Sequence, residues 1–163
     1  MKSIIQPAEG KLGILIPGLG AVATTLIAGV EAVKKGLSQP IGSLTQMGHI
    51  RLGKRTENRY PKVKDFVPIA DFNDIVFGGW DVYEDNVYEA AMKARVLEPG
   101  LLNAIKSELE VVVPMKAAFD KNYAKNLVAT NVKTVTLYEL AQRVMAGIGN
   151  FKEKNNCETR VLI

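Results

Sequence analysis

The sequence predicts an α/β fold with a mostly parallel sheet, and three observations predict it. Short apolar, β-rich runs alternate with segments of helical period. A glycine turn joins the first such run directly to the first helix. The chain has 163 residues, 47% hydrophobic and 23% charged, which is the profile of one ordinary domain. That length buries about 70% of the unfolded surface on folding. This composition excludes disorder, collagen-like repeats and low-complexity tracts.

Residues 12–30 carry no charge over nineteen positions, a length that would cross a bilayer as a helix. Pro17, Gly18 and Gly20 interrupt any such helix, so the stretch reads as two elements and no membrane partner is expected. Residues 12–16 suit a strand buried on both faces. Residues 21–35 place apolar side chains at helical spacing and end in Lys34, Lys35 and Gly36, basic residues followed by the usual terminating glycine.

Between strand and helix stands Gly18-Leu19-Gly20-Ala21-Val22-Ala23, a G-x-G-x-x-A sequence. Gly18 accepts the backbone angles of a tight turn, Gly20 keeps side chains away from a diphosphate, and Ala23 permits close helix packing. The helix start then offers amides and the positive end of its dipole to an anion, as a dinucleotide requires. The expected fold is accordingly a Rossmann-like NAD(P)-binding one, the alternative being a glycine-rich turn with no ligand.

The fingerprint also asks for an Asp or Glu about 20 residues further on to hold the ribose, but residues 36–58 contain no acid before Glu57. Arg51, Lys54 and Arg55 could instead meet a 2′-phosphate; they lie in residues 51–64, with six basic residues and one acid, which also fit an exposed irregular loop.

An apolar run at residues 74–81 predicts a second parallel strand ending at Asp81. There Asp81 would reach the same crevice as a ribose partner, or cap the following helix with Glu84. Residues 87–96 predict a helix with Tyr88 and Met92 turned to the core. Pro99 opens one more helix through Leu101, Leu102, Ile105 and Leu109. Residues 111–113 predict a short third strand. Thr136 and Glu139 form a capping box for a helix whose middle Gly147 and Gly149 weaken. Residues 159–163 begin a last strand, which suggests the start of a longer protein, the alternative being a short edge strand that closes the domain.

The net charge of +4, from 21 basic and 17 acidic residues, is too small an excess for a nucleic-acid face. A lone Cys157 beside a lone His49 supplies neither a disulfide nor a zinc cage, which favours a cytoplasmic setting without a metal. Residues 1–10, with Lys2 and Glu9 around two isoleucines, lack the apolar centre of an export signal.

Several blocks together resemble the myo-inositol-1-phosphate synthase family, also called inositol-3-phosphate synthase. They are the Gly18-Leu19-Gly20 turn, Gly42-Ser43-Leu44-Thr45-Gln46, Asn73-Asp74 leading to Gly79-Trp80-Asp81, Val96-Leu97-Glu98, and Asn150-Phe151-Lys152-Glu153-Lys154-Asn155. The resemblance covers the whole chain and the N-terminal part of a family member. It implies that residues 1–163 are the N-terminal NAD-binding domain of a longer enzyme of inositol and phospholipid biosynthesis.

The implied activity converts D-glucose 6-phosphate into 1D-myo-inositol 3-phosphate: NAD oxidises C5, an enolate closes the ring by an aldol step, and NADH reduces the product ketone. The family's lysines lie beyond this segment, so no catalytic residue is carried over and these residues alone are expected to be inactive. Carried over as cofactor contacts are Gly18, Leu19, Gly20, Ala21, Val22 and Ala23, with Asp81 toward the adenosine and Ala118 after Pro114. The loop departs from the longer asparagine-rich eukaryotic pattern. The resemblance also implies a sugar phosphate substrate and a homo-oligomer, a tetramer. A generic NAD(P)-dependent dehydrogenase and a non-catalytic nucleotide-binding module are the alternative readings of the turn.

Overall fold

The apolar run after Lys11 forms β1 (Lys11–Pro17), where branched Ile14 and Ile16 flank Leu15 on an extended backbone. The computed structural model describes residues 10–163 except 121, 124 and 134, and leaves aside the side chains of residues 159 and 160. The reading of the first nine residues as lacking an export signal lies outside the described residues. In chain order there follow α1 (Ala21–Lys34), α2 (Leu44–Met47), β2 (Ile75–Asp81), α3 (Val87–Ala94), α4 (Pro99–Ala104), α5 (Lys106–Glu110), β3 (Met115–Lys116), α6 (Leu137–Asn155) and β4 (Cys157–Leu162).

All four strands pair in parallel, in the order β3-β2-β1-β4. This is the Rossmann order. Successive strands step one way from β1 to β3, and β4 then returns to the other side of β1, so a crevice opens at the carboxyl ends where the direction switches.

Helices cover both faces of the sheet, as a parallel sheet requires. On one face α1, α3, α4 and α5 bury Ile27, Val87, Leu102, Ile105 and Leu109 against Ile16 and Phe77. On the other, α6 lays Val144, Ile148 and Phe151 over Leu15 and Trp80. Phe151 rests on two glycines of neighbouring strands: a Cβ on Gly13 would lie 2.8 Å from the Phe151 ring, and one on Gly78 would overlap the same ring.

Four details differ from the sequence reading. The helix opened by Pro99 breaks at Ile105 (φ −115°, ψ 18°) into α4 and α5, and the break keeps Leu102, Ile105 and Leu109 all buried. The third strand lies after Pro114 rather than before it. Val111 and Val113 are exposed and proline has no amide to give, so pairing starts at Met115 opposite Trp80. Met92 is exposed, while Tyr88 packs against the core and donates its hydroxyl to Asn103 Oδ1 at 2.8 Å. α6 runs unbroken through Gly147 and Gly149, and at Gly147 a Cβ would press on Met115 Sδ at 3.3 Å.

Among the described residues no helix is long and apolar enough to cross a membrane. The start of α6 is fixed by a reciprocal box: Thr136 Oγ1 accepts from the Glu139 amide, and the Glu139 carboxylate accepts from the Thr136 amide and hydroxyl. The same bonds hold the Glu139 carboxyl below its ordinary pKa. Thr136→Ala is expected to cost about 1 kcal/mol, read as a fall in thermal midpoint with cofactor affinity unchanged.

Candidate functional site

The site begins where β1 ends. Gly18 takes φ +104°, a left-handed value natural to glycine, and this turns the chain sharply over the sheet. Its amide donates to the Trp80 carbonyl at 2.7 Å, which fastens the turn to the end of β2. The Leu19 amide donates to Asp81 Oδ2 at 2.6 Å, and Asp81 Oδ1 accepts from the Tyr83 amide at 2.9 Å. Leu19 also anchors the turn from below, with a side chain only 1% exposed. Asp81 thus ties the glycine turn to the loop that follows β2.

Above these ties the start of α1 is open. Gly20 is its N-cap, no side chain caps it, and its first turn holds no acid. The leading amides and the positive end of the helix dipole therefore remain for an outside anion. A Cβ built on Gly18 or Gly20 would meet nothing within 4 Å, so each glycine borders open space that a side chain would fill. That is the cradle a dinucleotide diphosphate needs, and these residues fit one.

Two cavities flank the cradle. One, of about 340 Å³, crosses the carboxyl ends of all four strands and is lined by Gly18, Trp80, Asp81, Ala117, Ala118 and Leu162 among others. The second, of about 450 Å³, lies beside the start of α1 between Leu19, Gly20, Ala21, Asp81, Tyr83 and Lys93. Asp81 borders both. The walls of the first are almost wholly apolar, and the buried indole N–H of Trp80 has no hydrogen-bond partner among the described residues. Past β3, burial and then the charges of Arg143 and Lys116 hold the Lys133 ammonium below its usual pKa.

The structure brings Gly18, Leu19, Gly20, Ala21, Asp81 and Ala118 to these cavities. Ala23 lies on the buried face of α1, where its small side chain allows close approach to the core. Val22 points away, 87% exposed, and lines neither cavity. Asp81 does not cap the next helix; Asn86 does, in a box with Glu89. Arg51, Lys54 and Arg55 are exposed in the segment between α1 and β2 and line neither cavity.

That segment explains why the ribose acid looked absent. Residues 37–74 form an excursion holding α2 and a bridge between His49 and Lys62, and only then does the strand beside β1 begin. Its last residue is Asp81, at the end of the strand adjacent to β1, where the fingerprint acid of a Rossmann fold stands. Sequence reasoning missed Trp80, Tyr83 and Lys93 as lining residues. Trp80 and Tyr83 stand within two residues of Asp81, and that adjacency was the available signal.

Comparison with known proteins agrees with this fold. A family model of an NAD-binding domain, described as Myo-inositol-1-phosphate synthase, matches residues 12–163. Inositol-3-phosphate synthase 1 of Bacteroides thetaiotaomicron is 50% identical over all of this chain, which covers 38% of that protein. Inositol-3-phosphate synthase 1 of Oryza sativa subsp. japonica is 34% identical over 94% of the chain, covering 33% of the relative. The crystal structure of inositol-3-phosphate synthase from Caenorhabditis elegans superposes with a TM-score of 0.82 at 26% identity, over 96% of this chain and 34% of that one. The chain therefore spans between a third and two fifths of the length of these relatives.

Proposed function

The chain belongs to the myo-inositol-1-phosphate synthase family and is its NAD-binding domain, and we propose from that premise that it serves the NAD-dependent conversion of D-glucose 6-phosphate into 1D-myo-inositol 3-phosphate. The observation that carries this reading is the uncapped, side-chain-free cradle at Gly18 and Gly20, fastened through Leu19 to Asp81 at the switch point of the sheet. The family resemblance adds the substrate, and the names of the curated relatives support it.

When bound, NAD supplies the hydride acceptor that an internal oxidation and later reduction share. The chain's own residues bind and orient. The amides at the start of α1 would hold the diphosphate, and Gly20 would let it approach the main chain. Asp81, with each oxygen already accepting from the Leu19 or Tyr83 amide, would keep lone pairs for the ribose hydroxyls. A 2′-phosphate there would meet that carboxylate, which supports NAD over NADP. The apolar crevice of Trp80, Val82, Ala117 and Ala118 would suit the adenine ring. The charge-stabilising lysines of the reaction are assigned to the part of the enzyme outside this chain. The assembled enzyme is a cytoplasmic homo-oligomer in this reading.

Asp81→Ala is expected to weaken NAD binding at least tenfold, because the Leu19 amide and the ribose both lose their acceptor at about 1.5–3 kcal/mol for a charged hydrogen bond. Calorimetry with NAD and NADP checks it, and equal affinity of the native protein for both would reject the ribose assignment. The function itself is tested by incubating the full-length protein with NAD and glucose 6-phosphate. Formation of inositol phosphate supports it, and simple NADH accumulation would favour an ordinary dehydrogenase.

A further inference from the structure

Residues 117–133 carry no recognisable motif, yet they contain the one polar side chain, besides that of Thr24, buried among the described residues. Asn131 is only 4% exposed. Its Nδ2 donates to three backbone carbonyls: Asp81 at 3.0 Å, Met115 at 3.3 Å and Tyr83 at 3.4 Å. Its main chain joins the same places. The amides of Thr130 and Asn131 both donate to the Val82 carbonyl, at 3.0 and 2.8 Å, and the Asn131 carbonyl accepts from Ala117 at 2.9 Å.

The residues Asn131 grips are those on which the glycine turn depends. Asp81 and Tyr83 form the loop whose carboxylate and amide geometry receives the Leu19 amide. Met115 is the residue of β3 paired with Trp80, and the Trp80 carbonyl holds Gly18. Carbonyl oxygens in part-buried positions at the ends of these strands need donors, and an uncharged carboxamide with two N–H groups, one of them shared between two acceptors, can serve all three. A carboxylate of the same shape would face them with none.

We infer that Asn131 is a positioning residue for the cofactor: it clamps the ends of β2 and β3 so that the Asp81 carboxylate stays beneath the Gly18–Gly20 turn, and acts on NAD only through Asp81. The cofactor part rests on the NAD reading above; the clamp itself does not.

Asn131→Asp in the full chain tests it, with two readouts. In the ligand-free protein, hydrogen exchange at the Leu19 amide is expected to speed by about tenfold at pH 8, the effect of leaving a buried polar group unpaired, while the Ile27 amide in mid-α1 keeps its rate. NAD affinity by calorimetry is expected to fall by a similar factor at pH 8 and to recover as the pH is lowered. Burial among carbonyls raises the pKa of the new carboxyl, so its proton, and with it one donor, is present below that pKa and lost above it. A core variant that leaves the crevice intact, Leu109→Ala, provides the comparison for a merely structural loss: it should lower the thermal midpoint without this pH profile.

Unchanged exchange at Leu19 overturns the clamp, whatever happens to NAD. Faster exchange at Leu19 with NAD affinity equal to the native value at every pH overturns the cofactor role. A native protein that binds no NAD, with Leu19 still freed by the substitution, sinks the proposed function and leaves the clamp standing.

Discussion

Gly20→Asp is expected to abolish NAD binding while leaving the fold as stable as before, or slightly more so. Gly20 is the N-cap of α1 with φ −76°, a value any L residue adopts, and its Cβ direction is open. Asp is a favoured N-cap, so the new side chain would take the amides of the first turn and gain a few tenths of a kcal/mol over glycine. Those are the donors a diphosphate needs. The carboxylate would also stand against the diphosphate charge, and two like charges 4 Å apart near a protein surface repel by about 4 kcal/mol. Together the effects predict a loss of about a thousandfold in affinity. Calorimetry measures the binding and a thermal melt the fold. Affinity within tenfold of native would remove the cradle from the cofactor site, and a fall in thermal midpoint would show that Gly20 serves packing instead.

Gly79→Ala should act in the opposite way, through stability. Gly79 pairs with Ile16 across β1 and β2, and an added Cβ would run into the Ile16 carbonyl oxygen and reach Leu19 Cδ2 at 3.0 Å. A backbone oxygen in a ladder cannot swing aside. Either the two central strands separate or Leu19, which anchors the glycine turn, leaves its pocket. Overpacking of this kind costs about 3 kcal/mol, near the upper end for single substitutions. For a chain of this size that lowers the thermal midpoint by roughly 10 °C. Gly29→Ala serves as the matched control: it lies on α1 with nothing within 4 Å of its Cβ, so added methyl bulk alone should not destabilise. A Gly79→Ala protein melting with the control would show that the β1–β2 spacing is looser than the contacts indicate.

What could be read in the sequence follows from how local its causes are. The strand-turn-helix at residues 12–34 is specified by neighbours in sequence: an apolar run, two glycines and a terminating Lys-Lys-Gly. The Thr136–Glu139 box likewise acts within one helical turn. Asp81 was singled out by its strand end, but its tie to Leu19 spans 62 positions and no local pattern reports it. The ribose acid was sought by counting residues from the turn. The excursion of residues 37–74 defeats a count without disturbing the strand pairing, since β2 still lies beside β1. Asn131 was invisible for the same reason, because its three partners stand 16 to 50 positions away. The third strand stands beyond the valines because Pro114 decides where pairing can start.

The ring of Phe151 seated on Gly13 and Gly78 bears on how such a sequence can drift. A methyl group at either glycine collides with the ring, and a smaller residue at 151 leaves a void over two strands. Each position is therefore fixed by the other two. Descendants can leave this arrangement only by passing through a less stable ancestor or by changing two sites in one step, so the trio should persist together or be replaced together.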